Sequence, residues 1–161
     1  MKKILLIICI FVLTFTLTGC VVKDETFAGG GLTVKLTSEF KEYETKKWDF
    51  YLENDDQIAF MSIRYNKQSK FGEMELKDCS LKEYMNLTLT LNGIDATTYV
   101  VEGPNGTFYY CYYTVGTDYG FMMVVMENSN YFYTINLSAP YGSFQESKPL
   151  LFQYASTIKI Q

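Results

Sequence analysis

The sequence predicts an α+β fold, an antiparallel sheet flanked by helices on both faces. Three observations carry that expectation. Leu32, Val34 and Leu36 alternate with Thr33, Lys35 and Thr37, the period of a half-buried strand. Later, Phe108-Tyr109-Tyr110-Cys111-Tyr112-Tyr113 and Phe121-Met122-Met123-Val124-Val125-Met126 are apolar or aromatic at every position, so both faces of their sheet need cover. Two stretches with helical signals, one in mid-chain and one near the C-terminus, supply it. The 161 residues, 48% hydrophobic and 20% charged, suit one globular domain. They include no histidine, which excludes imidazole acid-base chemistry, the hydrolase triads that need it and histidine-ligated metal sites.

The chain opens with Lys2 and Lys3 ahead of residues 4–17, fourteen residues without a charge. A spanning helix needs about 20 apolar residues, so the run reads as a secretory signal. It ends in Leu17-Thr18-Gly19-Cys20, which resembles the bacterial lipobox. The resemblance implies cleavage before Cys20 and a diacylglyceryl thioether, with palmitate-type chains, on that cysteine. Each buried methylene contributes about 0.8 kcal/mol, so two or three chains hold a protein to a bilayer. The expected organisation is therefore a signal peptide at 1–19, a lipidated tether at 20–30 and an α+β domain at 31–161. The expected location is the extracytoplasmic side of the cell membrane. Loss of residues 1–19 takes two of the 14 basic residues and none of the 18 acidic ones, leaving a formal charge of −6. That surface disfavours nucleic acid and offers anionic lipid no basic stripe, so membrane contact is expected through the lipid.

After Cys20, residues 21–31 show no hydrophobic period and end in Ala28-Gly29-Gly30-Gly31, which predicts a flexible tether. The strand at Leu32 follows. Trp48, Phe50 and Leu52 repeat the alternation, residues 53–57 are turn formers, and residues 58–65 resume as a strand, together a hairpin. Ser80-Leu81-Lys82-Glu83 has the form of a capping box. Leu81, Met85 and Leu89 then recur on one stripe, with Tyr84 and Leu91 beside it, and Asn92-Gly93 supplies the stop. Residues 97–102 and 107–115 flank Gly103-Pro104-Asn105-Gly106, whose Asn-Gly pair suits a turn with positive φ angles. Residues 119–127 and 131–138 flank Asn128-Ser129-Asn130, completing a four-stranded meander. Ser147 in the cap position and Pro149 in the first turn open a second helix that ends near Thr157.

Cys9 leaves with the signal and Cys20 takes lipid, so Cys79 and Cys111 remain. With no C-x-x-C spacing they suit either a structural disulfide or two separate buried thiols. Glu53, Asp55 and Asp56 lack the glycine and distal glutamate of a calcium loop and read as a solvated turn. Met122, Met123 and Met126 read as core, because adjacent strand residues point to opposite faces. No metal or cofactor is expected. Tyr110 and Tyr112 are the candidate binding residues, a same-face pair able to stack on a partner or on sugar rings.

The order of elements, Leu32-Thr33-Val34-Lys35-Leu36, the helix start Ser80-Leu81-Lys82-Glu83-Tyr84, the tyrosine-rich hairpins and the close Lys148-Pro149-Leu150-Leu151-Phe152 resemble the PsbP-like fold. That fold is shared by the extrinsic photosystem II protein, a Ran-binding nuclear import factor and many bacterial lipoproteins. The resemblance implies an adaptor or assembly role, without catalysis, toward an exoplasmic or membrane protein. The alternative is a lipoprotein that binds a small ligand, a glycan fragment or a peptide, in an aromatic cleft.

Cys20→Ala is expected to leave an unprocessed precursor, since lipidation and cleavage both need the thiol. Intact mass of the membrane fraction checks this, and a correctly cut, unlipidated product would contradict the lipobox.

Overall fold

The computed structural model describes residues 23–71 and 74–161; the signal segment, the lipobox and Cys20 lie outside them. The chain runs β1 (Asp24–Gly29), β2 (Leu32–Thr37), β3 (Lys41–Glu42), β4 (Phe50–Glu53), β5 (Ala59–Asn66), β6 (Lys70–Phe71) and β7 (Met74–Glu75). There follow α1 (Leu81–Leu91), β8 (Tyr99–Gly103), β9 (Gly106–Val115), β10 (Tyr119–Glu127), β11 (Tyr131–Pro140), α2 (Phe144–Ser156) and β12 (Lys159–Ile160). A seven-stranded antiparallel sheet in the order β3-β4-β5-β11-β10-β9-β8 is the centre, with a three-stranded sheet β1-β2-β12 and a short β6-β7 ribbon. The α+β class and the β8 to β11 meander stand as expected. No described helix is long and apolar enough to cross a membrane.

Side-chain alternation splits the large sheet between two apolar clusters. Met122, Val124 and Met126 of β10 and Tyr133, Ile135 and Leu137 of β11 pack with Leu151, Tyr154 and Ala155 of α2 and with Leu32, Val34 and Leu36 of β2. Met123 and Val125 of β10, Cys111 of β9 and Phe132 of β11 pack with Leu81, Tyr84, Met85 and Leu89 of α1. The central strand β11 is thus buried along most of its length.

Helix α1 begins where its sequence says. The Ser80 hydroxyl accepts from the Glu83 amide at 3.3 Å while the Glu83 carboxylate accepts from the Ser80 amide at 2.8 Å, a complete capping box. That hydrogen bonding holds the Glu83 carboxyl below its ordinary range. At the other end Gly93, at φ +63°, closes a Schellman motif: Ile94 N donates to Leu89 O and Gly93 N to Thr90 O. Leu91, expected beside the buried stripe, is exposed.

Three expectations are corrected. Residues 24–29 are a strand, paired with β2 from Asp24↔Thr37 to Gly29↔Leu32. The glycines that suggested flexibility serve its turn: Gly30 (φ +57°) and Gly31 (φ +82°) supply the two positive φ angles of a two-residue hairpin. Only Phe27 of this strand packs on the core among its large apolar residues, so no period of two was visible. In the β8–β9 hairpin Gly103 pairs with Gly106, leaving Pro104 and Asn105 as the turn; only Gly106 has positive φ there. Helix α2 starts at Phe144, four residues early, because the Phe144 ring lies so close to Gly120 that a Cβ there would sit 2.1 Å from it. Ser147 consequently donates to the Ser143 carbonyl, and Pro149 falls in the second turn, on the exposed side where the Gln145 carbonyl it leaves unbonded meets water. Of the two alternatives left open for Cys79 and Cys111, the structure has separate thiols and no disulfide between them. Cys111 is fully buried in the sheet, and burial pushes its thiol up to about 11. The Cys79 thiol lies before α1, 3.6 Å from the Glu75 carbonyl.

A chain beginning at Gly30 loses β1 and is expected to be about 1–2 kcal/mol less stable, the contribution of a half-buried Phe27 and its neighbours. Urea unfolding measures it; an unchanged midpoint would show that β1 adds nothing.

A candidate binding cleft on the open half of the sheet

The cleft lies on the α1 side of the large sheet, over parts of β5, β11 and β10 that α1 does not cover. Helix α1 is moored by Tyr84, which is stacked on Phe132 with centroids 4.3 Å apart and planes at 7°. The Tyr84 and Thr134 hydroxyls are 2.7 Å apart and hydrogen-bonded. So placed, α1 shields Cys111, Val125 and Phe132 and meets β5 at Tyr65, whose ring centroid is 6.5 Å from that of Tyr84. The uncovered face is a cleft of about 440 Å³.

Its floor is read from the strand registers. Met61, Asn136 and Met123 form one row across β5, β11 and β10, beside the row of Ser138, Phe121 and Tyr113. On β11 the residues facing this side are Thr134, Asn136 and Ser138, all buried, between strands whose facing residues are mainly apolar. Asn136, 7% exposed, accepts from the Tyr113 hydroxyl at 3.0 Å. Tyr113 stacks on Phe121 at 5.1 Å, and burial pushes its phenol far above the usual range.

Two walls frame the floor. One is the end of α1, where the Schellman turn brings Ile94 to the cleft beside Thr88 and Asn92; the Asn92 side-chain amide donates to the Thr88 carbonyl at 2.8 Å. The other is the segment before β4. There the Thr45 hydroxyl accepts from the Trp48 amide at 3.0 Å, and Asp49 is pinned to β5 through its amide to Ser62 O and its carboxylate from Arg64 N. Held on both sides, Trp48 lines the cleft with the Lys47 ammonium 5.1 Å from its ring centroid. Among the described residues Lys47 is the one charged residue in the lining. Beyond the cleft the aromatic surface continues through Tyr119, 6.5 Å from Phe121, and through Tyr51 and Tyr43, 5.9 Å apart.

The candidates Tyr110 and Tyr112 lie on the opposite face. Tyr110 packs edge-on against Phe152 at 5.4 Å and stacks on Tyr99; Tyr112 meets Phe144 at 6.1 Å and donates weakly to the Lys148 carbonyl. They are packing beneath α2, because β9 puts even-numbered residues on that side. Glu53 accepts from the Tyr51 hydroxyl at 2.6 Å and Asp55 pairs with Lys41 at 3.1 Å, so these carboxylates serve separate contacts. Among the described residues no group of three or more acidic or cysteine side chains is arranged to hold a metal. The cleft residues were missed although a signal existed. Thr134, Asn136 and Ser138 interrupt an apolar strand at a period of two, a polar column that a sheet buried on both faces tolerates only where it is bonded or wet.

Burial pushes the Tyr84 and Tyr112 phenols up to about 12, whereas in the unfolded chain they ionise near pH 10. The protonated form is thus favoured by folding, so this stability is complete below pH 10 and is lost as pH rises from about 10 to about 12. Urea midpoints should fall across that window, less steeply in Tyr84→Phe; a flat profile would contradict the burial.

No protein-family profile and no curated protein matches the chain. Solved structures do. The solution structure of cyanobacterial PsbP (CyanoP) from Synechocystis sp. PCC 6803 is similar with a TM-score of 0.61 at 13% identity, over 89% of this chain and 96% of that one. A crystal structure from Bacteroides thetaiotaomicron VPI-5482 is similar with a TM-score of 0.51 at 15% identity, over 85% of this chain; the match spans 48% of that longer chain. The sheet order, the two helices and these likenesses agree on a PsbP-like fold.

Proposed function

We propose that this protein is a non-catalytic binding lipoprotein, held by lipid on Cys20 at the extracytoplasmic face of the cell membrane, whose cleft takes a short segment of a partner protein. In this reading the large sheet carries one helix on each face, α2 sealing the core and α1 leaving the cleft open. The cleft carries the reading. Its volume of about 440 Å³ lies within the range of built ligand sites, roughly 300–1,000 Å³, and it has their composition, an apolar floor with a few convergent polar groups. Met61, Ile63, Phe121 and Met123 offer apolar area, while the Asn92 side-chain carbonyl and the Asn136 side-chain NH2 offer an acceptor and a donor suited to a peptide backbone. Among the described lining residues no nucleophile is paired with a base, and the half-buried Tyr65 and Tyr113 phenols are both pushed up by burial and stay neutral at physiological pH, which supports binding in place of catalysis.

A second reading, a glycan fragment as the ligand, is favoured by the Trp48 ring at the cleft, a surface on which a sugar face can stack, with neutral amides beside it.

A photoactivatable phenylalanine analogue in place of Ile63, in the lipidated protein in its host, is expected to give a discrete protein adduct that Trp48→Ala weakens while the circular dichroism spectrum is unchanged. No adduct, together with a co-purifying oligosaccharide in native mass spectra, would overturn the first reading in favour of the second.

A further inference from the structure

The ordered body begins very near the lipid. Ser38 N donates to the Lys23 carbonyl at 2.8 Å, and β1 follows at Asp24, so only residues 21 and 22 separate Lys23 from Cys20. At no more than about 3.6 Å per residue, the Cys20 and Lys23 Cα atoms lie within about 11 Å of each other. Residue 38 in turn is three residues from Lys41, where β3 joins the large sheet. Lys41 pairs with Glu53, Glu53 with Ala59, Ala59 with Ser138 and Ser138 with Phe121. The cleft floor at Phe121 therefore lies in the same cross-strand row as the anchored edge, four strands away, about 19 Å.

Added end to end, these steps keep the cleft within about 45 Å of the lipid in any orientation. A two-residue link cannot let the domain search the way a long flexible linker does. Near the bilayer the cleft meets extracytoplasmic loops of membrane proteins at high effective concentration, whereas a freely diffusing partner gains nothing from so short a link.

Resting on the cleft reading above, we infer that the occupant of the cleft is an extracytoplasmic loop of an integral membrane protein, presented close to the bilayer, and that the short distance from Cys20 to β1 sets the reach. The occupant is an uncharged or acidic, partly apolar segment, since Lys47 is the only charge among the described lining residues.

The test compares two lipidated full-length proteins carrying the photoactivatable residue at position 63. One has the native sequence and the other has about thirty Gly/Ser residues inserted after Cys20, which let the domain wander about 30 Å. Intact mass establishes that both are lipidated. The native form is expected to give an adduct that resists alkaline extraction, as an integral membrane protein does, with a yield about tenfold lower for the lengthened form. Equal yields from both forms, or an adduct with a soluble protein, would overturn the inference and leave the cleft reading standing. Absence of any protein adduct from either form would overturn both.

Discussion

The contact on which the architecture turns is the buried stack of Tyr84 on Phe132, closed by the hydroxyl bond to Thr134. An offset aromatic pair of this kind is worth about 0.5–1.5 kcal/mol beyond its area, and the phenol it buries has its hydrogen-bonding partner in place. Together they fix where α1 rests on the sheet. The capping box and the Schellman turn decide where the helix begins and ends; this stack decides what it leaves bare.

The opposite face is organised by close approaches of aromatic rings to backbone. Phe144 lies against Gly120 and Phe50 against Gly29, positions where any Cβ would collide with a ring. These contacts draw the start of α2 onto β10 and the first hairpin onto β4. They also explain why the helix forms earlier than its serine and proline signals suggest: burial of a phenylalanine, about 1.5–3 kcal/mol, outweighs a capping preference of about 1 kcal/mol. Ser62, whose hydroxyl is buried without a partner, lies under this hairpin.

The cleft chemistry follows from β11 being central. A strand covered on both sides is ordinarily apolar throughout, and this one is so toward α2. Toward α1 it alternates Phe132 with Thr134, Asn136 and Ser138, of which Thr134 is bonded to Tyr84 and Asn136 to Tyr113. A polar column in that position gives the cleft a floor of hydrogen-bonding groups set among apolar ones, where low polarity strengthens each bond.

Much of the secondary structure was legible in the sequence, for reasons that are local. A serine three residues ahead of a glutamate, an Asn-Gly stop, and apolar residues at a period of two act on the backbone within a few positions, so α1, β2 and the meander could be placed from residues alone. Parity along β9 also determined that Tyr110 and Tyr112 share a face. Which face that was, and what covers it, depended on α2, whose own start depended on Gly120. The strand β1 was hidden for the same reason: its pairing partner, not its own pattern, makes it a strand. The cleft belongs to this second class. It is the part of the sheet face that α1 leaves bare, set by registers between strands up to about 80 residues apart, and no single segment contains it.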